Sequence, residues 1–166
     1  MMRLSLILIL LAAPALAQDP PQYDPMALEQ CLADKTTLAE RETCVGIPSG
    51  RCMQSPGGDT TAGMVHCLGV ETAQWDDRLN RAYAALLARE EMDDEALARL
   101  QSAAEPAAPA LREMQRAWIA FRDASCKYEA ALWQGGSGAG PAANACALDL
   151  TGRQALRLME QADTPR

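Results

Sequence analysis

The stretch LREMQRAWIAFRDASCKYEAAL, residues 111–132, decides the fold class. Leu111, Met114, Trp118, Phe121, Ser125, Tyr128 and Leu132 recur in alternating steps of three and four. On a helix turning every 3.6 residues or so, such positions form one stripe, and a stripe of this kind packs helix against helix. The following segment QGGSGAG, residues 134–140, cannot continue the helix, because each glycine costs about 1 kcal/mol of helix stability. Pro141 suits the first turn of another helix, where its missing N–H goes unnoticed. In that helix Leu148, Thr151, Ala155, Leu158 and Ala162 make a second, narrower stripe.

Upstream the pattern is again helical. Met64, Leu68, Trp75, Leu79, Ala82 and Leu86 share a face, with Asp77 and Arg81 opposite. Asp59, Thr60 or Thr61 can cap the start of this helix. The periodicity fades near Glu90-Glu91-Met92, and Asp93-Asp94-Glu95 reads as a fresh cap opening a short helix from Glu95 to Ala104, with Pro106 and Pro109 marking a break. Before it, GIPSGRCMQSPGGD (residues 46–59) has the glycine, proline and serine of a loop. A first helix is expected from Met26 to about Thr43, with Thr36-Thr37 as its weak point. No useful length of sequence alternates with a period of two. The expectation is an all-α fold, a small bundle of about four main helices in one domain.

The N-terminus reads as an export signal. Met1-Met2-Arg3 is positive, Leu4 to Leu11 is apolar apart from Ser5, and Ala15-Leu16-Ala17 places small residues where a signal peptidase cuts. The apolar run is shorter than the roughly 20 residues that cross a bilayer. Residues 1–17 are therefore expected to be removed, leaving a periplasmic or secreted chain with no stable membrane insertion. Residues 18–59 form an N-terminal extension, with a disulfide-tied helix and loop, and residues 60–163 the main helical domain.

All six cysteines lie beyond the signal: Cys31, Cys44, Cys52, Cys67, Cys126 and Cys146. An even number in an exported chain reads as three disulfides. Pairing neighbours gives Cys31–Cys44, Cys52–Cys67 and Cys126–Cys146. The last would clamp two helices across the glycine loop and contribute about 3 kcal/mol on the chain-entropy account. An exchange of partners by Cys44 and Cys52 is the open alternative.

Charge and motifs exclude several functions. The chain carries a formal charge of −7, and Arg3 leaves with the signal. Nucleic acid, which needs Lys and Arg to neutralise phosphates, is a poor partner, whereas a basic protein would be steered toward this surface. There is no C-x-x-C pair. His66, the one histidine, cannot complete a zinc site that needs about four ligands. No nucleophile elbow or phosphate loop is present, and Asp93-Asp94-Glu95 lacks the spaced ligands of a calcium loop. No catalytic residue, cofactor or metal is expected.

Two strings carry a family resemblance. One is Thr60-Thr61-Ala62-Gly63-Met64-Val65-His66-Cys67 followed by Trp75-Asp76-Asp77-Arg78-Leu79-Asn80-Arg81-Ala82-Tyr83 and Leu86. The other is Gln115-Arg116-Ala117-Trp118-Ile119-Ala120-Phe121-Arg122-Asp123-Ala124-Ser125-Cys126. With the glycine loop and Cys146 to Arg153, they resemble the LprI-like lysozyme-inhibitor family over about Cys52 to Met159. The resemblance implies a helical envelope protein that inhibits lysozyme. The chain departs from the pattern twice. Cys31 and Cys44 lie outside the common four-cysteine set, and Arg153 follows Thr151 by two residues where the family more often has three.

The signature residues read mainly as structure. Trp75, Tyr83, Trp118 and Phe121 sit at core spacing, although a sugar-stacking or partner surface is the sharper alternative. Asp76 and Arg122 are expected to form an ion pair between helices; a catalytic Asp76 would need a second carboxylate roughly 5–10 Å away. Leu79 packs, Asn80 reads as a hydrogen-bonding helix residue, and Gln115 belongs to the signature as a mainly structural residue. Trp133, beside the glycine loop, is the candidate partner contact, since tryptophan is enriched at binding hot spots; closing the core at the helix end is its plainer role. The loops 51–59 and 133–140 are the candidate surfaces. Two functions follow: a binder that blocks a basic lysozyme, or a non-enzymatic envelope interaction or structural module with no lysozyme contact.

Overall fold

The computed structural model describes residues 19–164. The expected signal segment, residues 1–17, lies outside them. Among the described residues there are six helices and no strand: α1 (Met26–Ala33), α2 (Leu38–Glu42), α3 (Ile47–Met53), α4 (Thr61–Arg99), α5 (Ala107–Ala131) and α6 (Ala139–Asp163). The three long helices form the bundle, with α3 packed on α4, α2 on α6 and α1 on α3.

The stripes named above make the core where α4 meets α6. Leu68, Trp75, Leu79, Ala82 and Leu86 of α4 are buried against Leu148, Ala155, Leu156 and Leu158 of α6, with Leu28 of α1 and Cys44 completing the cluster. Trp75 is fully buried, and replacing such a side chain by alanine costs about 3–5 kcal/mol. Close packing on α6 depends on Gly152. A Cβ there would lie 2.7 Å from Val45 Cγ2, so only glycine lets the segment before α3 rest on the helix.

The disulfides join Cys31 to Cys44, Cys52 to Cys67 and Cys126 to Cys146, the neighbour pairing, with no exchange between Cys44 and Cys52. Three such bonds fit an oxidising compartment. Among the described residues no helix is long and apolar enough to cross a membrane.

Four local expectations need correction. The first helix stops at Ala33. Thr37 then caps α2 with a capping box, its hydroxyl accepting from Glu40 N–H while the Glu40 carboxylate takes the Thr37 N–H. The GIPSGRC loop contains α3. Pro48 sits in its first turn, where a missing N–H costs nothing, and the free N–H groups of Gly46 and Ser49 are taken by the buried carboxylate of Glu71 on α4, at 2.7 and 2.8 Å. α4 does not fade at Glu90 but runs unbroken to Arg99. Asp94 does cap a helix, but the next one: its carboxylate accepts Ala107 N–H at 2.7 Å and Ala108 N–H at 2.9 Å. Pro109 accordingly lies within the first turn of α5 and does not break it.

At the far end of α6, Arg89 of α4 donates to the carbonyls of Gln161, Ala162 and Thr164, satisfying acceptors that a helix terminus leaves open.

Candidate interaction surface

α5 is covered on one side only. Gln115 and Cys126 are buried, and Gln154 of α6 donates to the Gln115 amide oxygen at 3.2 Å. Leu111, Met114 and Trp118 pack against the core edge. Farther along the same stripe the cover ends: Phe121 is 59 % exposed, and Tyr128 and Leu132 are exposed as well. The expectation of a core role holds for Trp75 and in part for Tyr83 and Trp118, and it fails for Phe121. Among the described residues the stripe packs on α6 and the edge of α4, and Phe121, Tyr128 and Leu132 in its second half stay exposed.

The expected Asp76–Arg122 pair does not form. Asp76 accepts from the Asn80 side chain one turn later at 2.8 Å. Arg122 lies over the Trp118 ring, 5.1 Å from its centroid, and bonds its neighbour Asp123 at 2.8–2.9 Å. Each residue finds a partner within its own helix. Leu79, by contrast, is buried in the core, 1 % exposed.

Trp133 lies just past α5, in a turn whose Gln134 and Gly135 both have positive φ. It remains 53 % exposed, and one edge of its indole rests on Gly138. The Cys126–Cys146 bond closes this turn between α5 and α6. The second candidate segment, 51–59, reaches the same end of the bundle. Gly63, in the first turn of α4, packs on Gly57 and Gly58, while Gly140, in the first turn of α6, lies beside Val65 of α4. The two segments therefore flank one surface, held by Cys52–Cys67 on one side and Cys126–Cys146 on the other.

Two residue groups carry structural roles that the sequence did not assign. Glu71 is fully buried and accepts from Trp75 Nε1 at 3.1 Å in addition to its two backbone donors. Its two backbone donors lie more than twenty residues upstream, where no local signal marks them. On the other face, Arg153 bonds Asp149 at 2.8 Å and Glu42 of α2 at 2.6 Å. The hydrogen bond that this guanidinium donates to Asp149, and the charge of that carboxylate, hold it still more firmly in its charged form, with Glu42 adding to the effect. Arg153, the residue offset from the family spacing, thus ties α6 to the extension. Among the described residues no group of His, Cys, Asp or Glu could hold a metal ion.

A family model described as lysozyme inhibitor LprI matches residues 52–158. An uncharacterized 17.7 kDa protein in the puhA 5′ region of Rhodobacter capsulatus is 31% identical over 129 residues, covering 77% of this chain and 80% of that protein. An uncharacterized protein of Rhizobium meliloti (strain 1021) is 32% identical over 85 residues, covering 51% of this chain and 61% of the relative. No solved structure gives a significant match.

Proposed function

The chain belongs to the lysozyme inhibitor LprI family, and from that membership we propose that it is exported by a cleavable signal, works in the periplasm or outside the cell, and binds and blocks a lysozyme without catalytic chemistry of its own. One observation carries the proposal beyond the family name. A half-exposed tryptophan, Trp133, stands on a disulfide-closed turn beside the segment 51–59 at one end of the bundle. Binding costs less entropy when the contacting loops are already ordered. An exposed tryptophan on a fixed support is the kind of side chain that dominates interface energetics. The acidic balance, −7 for the full chain before Arg3 leaves with the signal, would speed encounter with a basic enzyme.

The test is a titration of several basic lysozymes with the purified mature protein, using a small soluble oligosaccharide substrate. Stoichiometric inhibition whose onset slows as salt rises supports the reading. Trp133→Ala should weaken it at least tenfold while helicity is retained. No inhibition of any lysozyme would overturn the proposal and leave the chain as an envelope interaction or structural module.

A further inference from the structure

A second surface lies well away from Trp133. Phe121 precedes it by about three turns, which places the two roughly 18 Å apart along α5 at 1.5 Å per residue. There α2, α5 and α6 enclose an open groove of about 430 Å³, within the range of small-ligand sites. Trp118 and Phe121 form one wall, and Arg153, Arg157 and Gln161 line the other. Arg153 is held in place by Asp149 and Glu42, so its guanidinium is presented with little freedom to lose on binding. Arg157 is exposed and has no ion-pair partner among the described residues.

From this juxtaposition of an exposed phenylalanine beside a half-buried tryptophan and a fixed guanidinium, we infer that the α2–α5–α6 groove binds an uncharged pyranose oligosaccharide. Three properties select that class. The groove is lined by two guanidinium groups and two carboxylates, Glu42 and Glu160, so an anion or a cation gains little net attraction. Its walls are helices with their backbone groups bonded internally, so an extended peptide finds no main chain to pair with. A sugar ring has what the groove does present a surface for: an apolar C–H face to lie on Phe121, and a rim of hydroxyls that both donate to carboxylates and accept from guanidinium and amide groups. The inference does not depend on lysozyme binding, which is assigned to the other end of α5.

The test uses the full mature protein with three soluble probes: tetramers of N-acetylglucosamine, of glucose and of galacturonic acid. NMR follows the Trp118 indole and the Arg157 guanidinium. Saturable shifts at these groups with a neutral tetramer are expected. Phe121→Ala should weaken binding about tenfold and Arg157→Gln should also weaken it, both at exposed positions and with circular dichroism unchanged. Trp133→Ala should leave glycan binding intact, and Phe121→Ala should leave lysozyme inhibition intact, so either reading can fail alone. No shift with any probe, binding of the acidic tetramer only, or shifts unaffected by Phe121→Ala would overturn the assignment.

Discussion

Gly138 lies directly beneath the indole of Trp133: a Cβ at that glycine would sit 2.1 Å from Trp133 Cζ3. The ring's exposed position is therefore set by the absence of a side chain five residues later. Gly138→Ala should push the indole off its seat without disturbing the Cys126–Cys146 bond. The Trp133 indole N–H resonance should move and broaden, and lysozyme inhibition should weaken in the same direction as in Trp133→Ala. An unmoved resonance would show that the contact does not position the ring.

Glu71 joins three donors from two helices in a fully buried site. Removing the carboxylate leaves Gly46 N–H, Ser49 N–H and the Trp75 indole without their acceptor, and a buried unpaired donor costs about 1–3 kcal/mol. Glu71→Ala should destabilise the protein by on the order of 3 kcal/mol or more in urea unfolding. Glu71→Gln, which keeps one acceptor oxygen, should lose less. Equal stability of all three proteins would contradict this role.

These two cases mark where the sequence stopped being readable. The periodic stripes of α4 and α6 face each other, so period alone located the core, and the neighbour spacing of cysteines anticipated all three bonds. Glu71 was opaque because two of its three donors, Gly46 N–H and Ser49 N–H, lie far upstream. α3 was hidden by a composition that suits loops, although its proline is well placed for a first helical turn. Phe121 misled for a different reason. Periodicity shows that a face is apolar, not that a partner covers it, and the stripe of α5 outruns its neighbours. Asp94 was legible as a cap but not as the cap of a helix thirteen residues away.

That remote cap is itself testable. Asp94→Ala should cost about 1 kcal/mol, the usual worth of a helix N-cap. Amide exchange should accelerate at Ala107 and Ala108 ahead of the rest of α5. Uniform acceleration along the helix, or none at those two amides, would argue against it.

The capping box of α2 predicts a pH signature. Backbone N–H groups of Thr37 and Thr36, followed by their hydroxyls, lower the Glu40 carboxyl from 4.5 to about 2. Because the folded value lies below the unfolded one, the associated stabilisation is complete above pH 4.5 and disappears as pH falls through about 2. A carbon-13 titration of the Glu40 carboxyl should show the depressed midpoint, and Thr37→Ala should bring it back toward the ordinary value. A midpoint near 4.5 in the wild type would rule the box out in solution.

α4 is 39 residues long, roughly 58 Å at 1.5 Å per residue, and its last buried side chain is Glu90. Beyond that point it overhangs the bundle as a spur with Met92 and Leu100 exposed, steadied at its root by the Asp94 cap and the Arg112–Glu91 ion pair. A dye, an affinity tag or a short insertion placed between Leu100 and Glu105 would therefore stand at the end opposite Trp133 and clear of the Phe121 groove. The spur offers a natural handle for immobilising the protein with both proposed binding surfaces left facing solution.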